Sequence, residues 1–491
     1  MDIFSRAIDP HRPVFARILS YARAHKESLY LVGGFVRDIY LHRSKKDPDI
    51  DFCMRKGAIA FGKGLARSLK CAFIVLDEAH GCCRLVTREG SVTYTIDIAD
   101  FRAATLEKDL SLRDFSVNSV CIELSGLIEC EDPASSVIDL YNGRADIKRK
   151  QLRILYKNAF KDDPLRILRA FSLAAVLGFK IHNESLALVR RTAGLLKDVS
   201  QERVRDELFK VLETGNAATW LGALDKHGIL EVIFPEIRAM KRIRRAGKAR
   251  IDVWQHTFDT VARLEELCCR LQRNADVAGY MAACVGGGRS VYALMKLAAL
   301  LHDAGKPRTF RYAQGKVSFY GHERIGSRMV TDISRRLKLS NDEQRWMSRV
   351  TFMHLRPGYM ATMAAVTPRA IFRFFRDAGI ESVAILLLAL ADERATEGYE
   401  VVEKIRPRYE RLIFRLVRLY FARQKASPAR RLVTGHDIMR LGNMPPCASV
   451  GRILRELDEF QAVSKTVSRN KVLCYANKLI RKYNRGDSYG K

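Results

Sequence analysis

The sequence predicts an α+β protein in which a β-containing N-terminal domain precedes a long helical region. Short β-rich runs occur at 29–32, 49–52 and 93–98, and apolar residues alternate with polar ones in the last two. Beyond about residue 150 the strand signals fade. Amphipathic segments with helical spacing take over, beginning at 165–177. These two periodicities divide the chain into a mixed first part and a helical second part.

Length and composition agree with a multidomain globular protein. The chain has 491 residues, of which 47% are hydrophobic and 29% charged, so it can build several packed cores and is not mainly disordered. The best candidate apolar segments, 294–301, which contains Lys296, and 384–391, are far shorter than the ~20 residues of a membrane span. The N-terminus also lacks an apolar signal segment. We therefore predict a cytoplasmic protein with no membrane association.

The eleven cysteines indicate free thiols. Their number is odd, and no pair has the C-x-x-C spacing of a zinc ribbon. Neither a disulfide framework nor a zinc ribbon fits this pattern. A reducing compartment, such as the cytoplasm, fits it better.

The net charge points to a polyanionic partner. Lys and Arg number 85 and Asp and Glu 55, which gives a net charge of +30. Such a field attracts nucleic acid, although a solvated basic surface is the simpler alternative. Four arginines share one face of a predicted helix and form either a solvated face or a stripe that follows RNA phosphates. They are Arg408, Arg411, Arg415 and Arg418.

A glycine turn and a pair of carboxylates suggest nucleotide chemistry. Gly33 and Gly34 follow a predicted strand and open a helix that carries Arg37 and Asp38. Glycines allow a phosphate to approach the backbone, and an arginine can bind its oxygens.

Asp49 and Asp51 alternate on the next predicted strand, so both face one point. Two carboxylates so close favour bound Mg²⁺, and Asp97 is a candidate third carboxylate. The alternative is an ordinary acidic strand edge.

Two later clusters add candidate nucleotide-binding residues. Arg113 and Asn118 can contact phosphate and ribose, and Asp114 can orient them. Asp163, Arg166 and Arg169 lie three residues apart near the start of a predicted helix. The second cluster, considered alone, is equally typical of a capped helix with internal ion pairs.

Taken in order, these motifs resemble the bacterial-type (class II) tRNA nucleotidyltransferase and poly(A) polymerase family. The matching stretches lie at 33–38, 49–52, 113–118, 162–169 and 201–204. The resemblance implies a polymerase-β-like head with a small mixed sheet, and addition of CCA, or of its terminal A, to tRNA from CTP and ATP. It implies that Asp49 and Asp51 bind two catalytic Mg²⁺ ions, and that Gly34, Arg37 and Arg113 hold the triphosphate. It also implies that Asp163 and Arg166, with Arg169 as a further candidate, pair with the incoming base.

Two departures from the family pattern leave the added nucleotides open. Leu112 stands where the family often has an arginine, and Asp162 stands where it often has a glutamate. The segment 97–108, which in full CCA-adding relatives helps to switch between C and A, is short. A poly(A) polymerase remains the second possibility, and a phosphohydrolase with an RNA-binding head is the third.

A second set of polar residues resembles the HD phosphohydrolase domain. It contains adjacent His302 and Asp303, and its members are His256, His302, Asp303, His322, His354 and Asp392. Imidazoles combined with carboxylates suit Mn²⁺, Ni²⁺, Co²⁺ or Fe²⁺. Stray core or capping residues are the alternative reading of each one alone.

The motif order predicts four domains. They are a nucleotidyltransferase head at 1–150, a base-recognising and RNA-binding neck at 151–240, an HD domain at 241–405 and a tRNA-binding helical tail at 406–491. The sequence does not indicate an oligomeric state.

Overall fold

The computed structural model describes residues 3–243, 245–246, 249–250, 252–396, 400–426, 431–463 and 468–486. Its internal contacts form two compact units, Met1–Thr214 with Trp220–Ile233, and Gly215–Thr219 with Phe234–Lys491. This division does not separate the four predicted domains, whose boundaries stay predictions. Among the described residues, no helix is both long and apolar enough to cross a bilayer. All eleven cysteines are free thiols, as predicted.

The first unit contains a seven-stranded mixed sheet. Its strands are β1 Tyr30–Val32, β2 Asp49–Met54, β3 Ala72–Asp77, β4 Cys82–Glu89, β5 Val92–Asp100, β6 Cys121–Glu123 and β7 Val137–Ile138. They lie in the order β3-β4-β5-β2-β1-β6-β7, and only β2 and β5 pair in parallel. The predicted β-containing domain with a small mixed sheet is confirmed, and the three predicted strands correspond to β1, β2 and β5.

Helices cover the sheet and continue the first unit. The alternating apolar residues of β2 and β5, among them Ile50, Phe52 and Ile96, are buried in one core with residues of helices at 12–24 and 58–69. The helices up to residue 233 are α1 Ile3–Ile8, α2 Arg12–Ala24, α3 Gly34–Tyr40, α4 Ala58–Leu69, α5 Leu106–Ser111, α6 Leu124–Glu129, α7 Gly143–Lys148, α8 Ala159–Asp162, α9 Leu165–Leu177, α10 Asn183–Thr192, α11 Gln201–Leu212, α12 Ala217–Lys226 and α13 Ile229–Ile233.

The second unit is helical, as predicted. Residues 291–301 and 382–391 are almost wholly buried, which explains why they are apolar apart from Lys296 and Ser382. Its helices are α14 Ile237–Arg242, α15 Val253–Leu271, α16 Ala275–Ala282, α17 Val291–Leu301, α18 Lys306–Thr309, α19 His322–Arg336, α20 Asn341–Met353, α21 Arg356–Thr362, α22 Pro368–Ala378, α23 Ser382–Ala395, α24 Glu400–Lys425, α25 Gly435–Gly442, α26 Ala448–Val463 and α27 Arg469–Gly486.

Short strands interrupt the helices beyond residue 150, which the fading strand signal did not predict. Each pairs with only one other described strand, so these pairs form no larger sheet. The pairs are β8 Gln151–Leu152 with β9 Lys180–Ile181, β10 Arg245–Ala246 with β11 Ala249–Arg250, β12 Cys284–Val285 with β13 Arg289–Ser290, and β14 Arg311–Ala313 with β15 Lys316–Ser318.

Candidate active site and metal centre

One cavity in the first unit brings together the residues predicted to hold Mg²⁺ and the nucleotide. Its volume is about 740 Å³. All twelve predicted residues line it, namely Gly33, Gly34, Arg37, Asp38, Asp49, Asp51, Arg113, Asp114, Asn118, Asp163, Arg166 and Arg169. They come from the strand β2, the helices α3 and α9, and the segments that precede or follow helices, so their convergence is a property of the fold rather than of any single motif.

The glycine turn forms one wall of this cavity. β1 ends at Val32, Gly33 has a φ of 75°, and α3 begins at Gly34. A side chain rarely adopts this backbone conformation, so glycine is favoured at position 33. A β-carbon there would also lie 3.3 Å from Oδ2 of Asp51. The turn therefore stands directly beside the carboxylate strand, as the motif order predicted.

The carboxylates lie on adjacent parallel strands. Asp51 of β2 is in register with Asp97 of β5, and Asp49 lies two residues earlier on the same face of β2. Burial raises the pKa of Asp51, and the negative charge of Asp97 raises it further, while Arg113 and Arg169 oppose both effects. A partly buried carboxylate beside other carboxylates, with only oxygen donors, fits a hard divalent cation such as Mg²⁺.

The three carboxylates differ in how they are neutralised. Arg84 of β4 donates two hydrogen bonds to Asp97, of 2.7 and 2.8 Å. Lys45 donates to the exposed Asp49 at 2.8 Å. Among the described residues, Asp51 has no ion-pair partner. Asp51 is therefore the carboxylate whose charge most needs a cation.

A chain of hydrogen bonds crosses the cavity. Arg37 donates to Asn118 at 2.7 Å and to its neighbour Asp38. Asn118 in turn donates to Asp114 at 3.0 Å, and Arg169 donates to the same carboxylate at 2.7 Å. Asp114 thus links Arg169 of α9 to Asn118, which is bonded in turn to Arg37 of α3, next to the glycine turn. These contacts support its predicted role in orienting Asn118.

Arg113 is held separately. Its guanidinium donates to the buried Asp109, and Arg113 itself is only slightly exposed. Although burial lowers the pKa of Arg113, the Asp109 carboxylate outweighs that effect and raises it. The arginine therefore keeps its charge inside the cavity wall, where it can meet a phosphate.

Asp163 lies just before α9, which begins at Leu165, as the predicted helical segment 165–177 does. The preceding helix α8 ends at Asp162, and Asp163 itself is extended, with φ of −142° and ψ of 97°. Proline disfavours helical geometry in the residue before it, and Pro164 follows here. Asp163 is consequently turned out of the helix into the cavity wall, where it accepts a hydrogen bond from Arg203 of α11 at 3.1 Å.

Arg166 occupies the neighbouring position. It donates to the backbone carbonyl of Leu112 at 3.0 Å and to the hydroxyl of Tyr156 at 2.9 Å. These bonds fix its guanidinium, and Arg166 lines the same cavity as Asp163. A carboxylate acceptor next to an arginine donor is a suitable arrangement for reading the edge of a base.

Sequence reasoning missed three supporting residues. Arg84, Arg102 and Arg203 line or brace the cavity but received no role. Arg203 lies in the motif at 201–204, so the order of motifs was a usable signal. Nothing in the local sequence indicates that Arg84 faces Asp97, because that depends on the pairing of β4 with β5.

The second unit contains the predicted histidine and aspartate cluster. Its ligand atoms lie close together in two overlapping groups, His256 with His302 and Asp392, and His302 with Asp303 and His354. Nε2 of His322 is 3.4 Å from Nε2 of His354 and 3.3 Å from Oδ1 of Asp303. The structure therefore brings all six residues to one place.

The histidine tautomers suit metal binding. The Nδ1 atoms of His302, His322 and His354 each lie within 2.9 Å of a backbone carbonyl three residues earlier. A proton on Nδ1 leaves Nε2 as a lone pair directed at the cluster. Burial lowers the pKa of His354 to about 4, which also favours the neutral ligand form.

Buried atoms in this cluster lack hydrogen bonds. Nε2 of His302 and both carboxylate oxygens of Asp303 have no hydrogen-bond partner among the described residues, although Lys306 forms an ion pair with Asp303. Such orphaned buried groups are costly unless something satisfies them. Mixed nitrogen and oxygen donors fit a transition-metal ion in this position.

The predicted arginine stripe on α24 is only partly available. Arg408 donates to the carbonyls of Met363 and Ala364, just after α21. Arg411, Arg415 and Arg418 are exposed and have no ion-pair partner in the described part of the chain. The stripe as an RNA contact therefore depends on these three residues.

Family models match three consecutive parts of the chain. The model described as the poly(A) polymerase head domain matches residues 29–153. The model described as the probable RNA- and SrmB-binding site of polymerase A matches residues 178–241, and the HD domain model matches residues 253–397.

Curated relatives match almost the whole chain. The A-adding tRNA nucleotidyltransferase of Deinococcus radiodurans is 30% identical over 444 residues, which cover 89% of this chain and 92% of the relative. The CC-adding tRNA nucleotidyltransferase of Geobacter sulfurreducens is 30% identical over 475 residues, or 95% of each chain. Among solved structures, the Thermotoga maritima CCA-adding enzyme complexed with tRNA shares the fold, with a TM-score of 0.63, 19% identity and coverage of 96% and 97%.

Proposed function

Because the chain belongs to the family of bacterial tRNA nucleotidyltransferases and poly(A) polymerases, we propose that it adds CCA, or its terminal A, to the 3′ ends of tRNA from CTP and ATP. The observation that carries this proposal is the single cavity in which Asp49 and Asp51 meet the glycine turn at Gly33. The charge of +30 supports a polyanionic substrate.

The reaction joins the tRNA 3′-hydroxyl to a nucleotide. The hydroxyl oxygen forms a bond to the α-phosphorus, the bond from that phosphorus to the bridging oxygen breaks, and pyrophosphate leaves with its electrons. We infer that Asp49 and Asp51 hold Mg²⁺, which when bound supplies activation of the hydroxyl and charge stabilisation of the leaving group. Arg37 and Arg113 bind the triphosphate, and the turn at Gly33 and Gly34 lets it approach the backbone.

The base is selected by protein side chains. The carboxylate of Asp163 accepts from the exocyclic amine of cytosine or adenine, and Arg166 donates to the adjacent ring acceptor. Guanine and uracil present the opposite pattern and leave buried groups unpaired. Asp114 accepts hydrogen bonds from Asn118 and Arg169 and so orients these two side chains.

We infer a second activity at the HD cluster. The six clustered ligands, four of them buried, and the atoms of His302 and Asp303 that lack hydrogen bonds favour a bound Mn²⁺, Ni²⁺, Co²⁺ or Fe²⁺, which would supply an activated water for phosphoester hydrolysis. Lys306, which lies beside Asp303, would meet the substrate phosphate.

Since tRNA maturation is cytoplasmic and all cysteines are free thiols, we place the protein in the cytoplasm.

A panel of tRNA substrates tests the proposal. The protein is incubated with Mg²⁺, labelled ATP or CTP, and one tRNA ending at the discriminator base, at -C or at -CC. Ordered CCA addition to the shortest tRNA identifies a CCA-adding enzyme, and a single A on -CC alone identifies an A-adding one. Addition of C alone would contradict the proposed product, and long A tails on unstructured RNA would indicate a poly(A) polymerase.

A further inference from the structure

The segment 306–324 carries an unusual group of exposed aromatic side chains. The two-stranded hairpin β14–β15 projects from it, with Gly315 at the turn and φ of 72°. Phe310, Tyr312 and Tyr320 are 36%, 48% and 88% exposed. Large aromatic rings are normally buried, and single exposed ones are scattered over a surface. Three of them lie within eleven residues of one another along the chain, and we call the segment 306–324 that carries them the aromatic hairpin.

The aromatic hairpin begins at the HD cluster. Lys306, the ion-pair partner of Asp303, lies 5.4 Å above the ring of Phe319. That ring is 5.8 Å from the ring of Phe310. The carbonyl of Phe319 also contacts Nδ1 of the candidate ligand His322 at 2.9 Å. Phe319 therefore links the exposed ring of Phe310 to Lys306 and to the buried ligand His322.

The charge of this segment is strongly positive. Residues 306–324 include five basic side chains and one acidic side chain, Glu323. Arg311, Lys316 and Arg324 are exposed and form no ion pair with any residue that the structure describes. A purely apolar partner surface would leave these cations without counter-charges. Rings interleaved with unpaired cations are typical of surfaces that bind single-stranded nucleic acid.

We propose that the aromatic hairpin binds unpaired RNA, with bases stacked on Tyr312 and Tyr320 and phosphates neutralised by Arg311, Lys316 and Arg324. Stacking on an exposed ring is tolerant of sequence, because every base has a flat face. The arrangement leads the end of a single strand toward the HD cluster. This site lies in the second unit and is distinct from the cavity of the first unit, and it rests on the proposed function only in taking RNA as its ligand.

Binding of a short RNA to the full-length protein tests the site. Fluorescence anisotropy with fluorescein-labelled hexa-adenylate compares the wild type with Tyr312→Ala/Tyr320→Ala, and we expect about ten-fold weaker binding in the double variant. Tyr312→Phe/Tyr320→Phe keeps both rings and should bind like the wild type. Tyr359→Ala removes another exposed tyrosine, 63% exposed, and should have no effect.

A cross-link locates the contact. Irradiation of wild-type protein with a hexanucleotide containing 4-thiouridine should label a peptide within 306–324. Unchanged anisotropy in the double alanine variant, or labelling only of peptides outside this segment, would overturn the proposal. The proposal would also be overturned if the phenylalanine variant bound hexa-adenylate as weakly as the alanine variant, because the loss of binding would then not come from lost stacking.

Two further measurements separate the alternatives. Loss of binding to phosphatidylserine vesicles in the alanine variant, with hexa-adenylate binding intact, would assign the patch to a membrane surface instead. Nucleotide addition to tRNA is followed in parallel and should be unchanged in the alanine variant. If the alanine variant binds hexa-adenylate as well as the wild type does, while the wild type adds nucleotides to tRNA, only this inference is overturned. If the wild type adds no nucleotides to tRNA, the proposed function is overturned.

Discussion

Asp51 lies against the backbone of Gly33, so that a β-carbon at position 33 would stand 3.3 Å from Oδ2 of the carboxylate. This proximity follows from the antiparallel pairing of β1 with β2, in which Val32 is opposite Asp51. The turn that admits a phosphate and the carboxylate that needs a cation thus form one site. We therefore expect nucleotide transfer to depend on the close approach of Asp51 to Gly33.

Gly33→Ala should damage both the backbone and the site. An alanine at a φ of 75° costs about 1–3 kcal/mol, and its β-carbon would press on Asp51. We expect a lower melting temperature and at least about ten-fold slower nucleotide addition. Differential scanning fluorimetry and a tRNA extension assay measure the two effects.

Gly57→Ala is the matched control. Its φ is 88°, but nothing lies within 4 Å of the position a β-carbon would take. It should lose similar stability and keep its rate at a temperature where it is folded. Equal loss of rate in both variants would show that general strain, and not contact with Asp51, is responsible.

Asp51→Asn should stabilise the metal-free protein while removing activity. Because burial and Asp97 raise the folded-state pKa of Asp51 above its unfolded value, the ionised carboxylate costs stability above that folded pKa. The increase in melting temperature caused by asparagine should therefore be present at pH 7 and should vanish as the pH falls toward 4. Thermal unfolding in EDTA at several pH values measures it.

Asp49→Asn provides the comparison for Asp51→Asn. Asp49 is exposed and paired with Lys45, so its replacement should leave the melting temperature unchanged. Both variants should reduce nucleotide addition by about 100-fold or more. A lower melting temperature for Asp51→Asn in EDTA would contradict the account of its charge.

The parts of the site that sequence predicts are those carried by local patterns. Gly33 follows a β-rich run, and Asp49 and Asp51 alternate, so their placement needs only the period of a strand. The ion pair of Arg84 with Asp97 depends on the pairing of two strands, and the pair of Asp163 with Arg203 joins residues forty positions apart. Local sequence contains no signal for such contacts.

The histidines show the same limit in another way. His302-Asp303 and His436-Asp437 are identical dipeptides. The first lies in the histidine and aspartate cluster, whereas the second lies in the first turn of α25, where Asp437 forms a capping box with Thr434. Only the distant residues His256, His322, His354 and Asp392 distinguish them. The order of those residues along the chain therefore indicated which dipeptide belongs to the cluster, whereas the dipeptide alone did not.

Asp163→Asn should weaken the choice of base. The preference for ATP over GTP, expressed as the ratio of kcat/KM values, should fall by about 10- to 100-fold, because a carboxylate reads the exocyclic amine of adenine. Arg203→Ala breaks the ion pair but keeps the carboxylate, and should retain most of the preference. An unchanged ratio in Asp163→Asn would remove the residue from base recognition.

The HD cluster should bind metal independently of nucleotide addition. Chelation should lower the melting temperature, because a ligand that binds only the folded state at 100 times its Kd contributes about 2.7 kcal/mol. His302→Ala/Asp303→Ala should contain no metal by mass spectrometry and retain addition to tRNA. His436→Ala, in the matching dipeptide, should keep its metal, and equal metal content in all three proteins would refute the site.

The most direct test measures incorporation of labelled AMP into tRNA ending in -CC by Asp49→Ala/Asp51→Ala. The variant should remain folded, keep the metal of the HD cluster, and incorporate less than about one thousandth of the wild-type amount. Incorporation within ten-fold of wild type would show that these two carboxylates do not hold the catalytic ions, and the assignment of the cavity would be wrong.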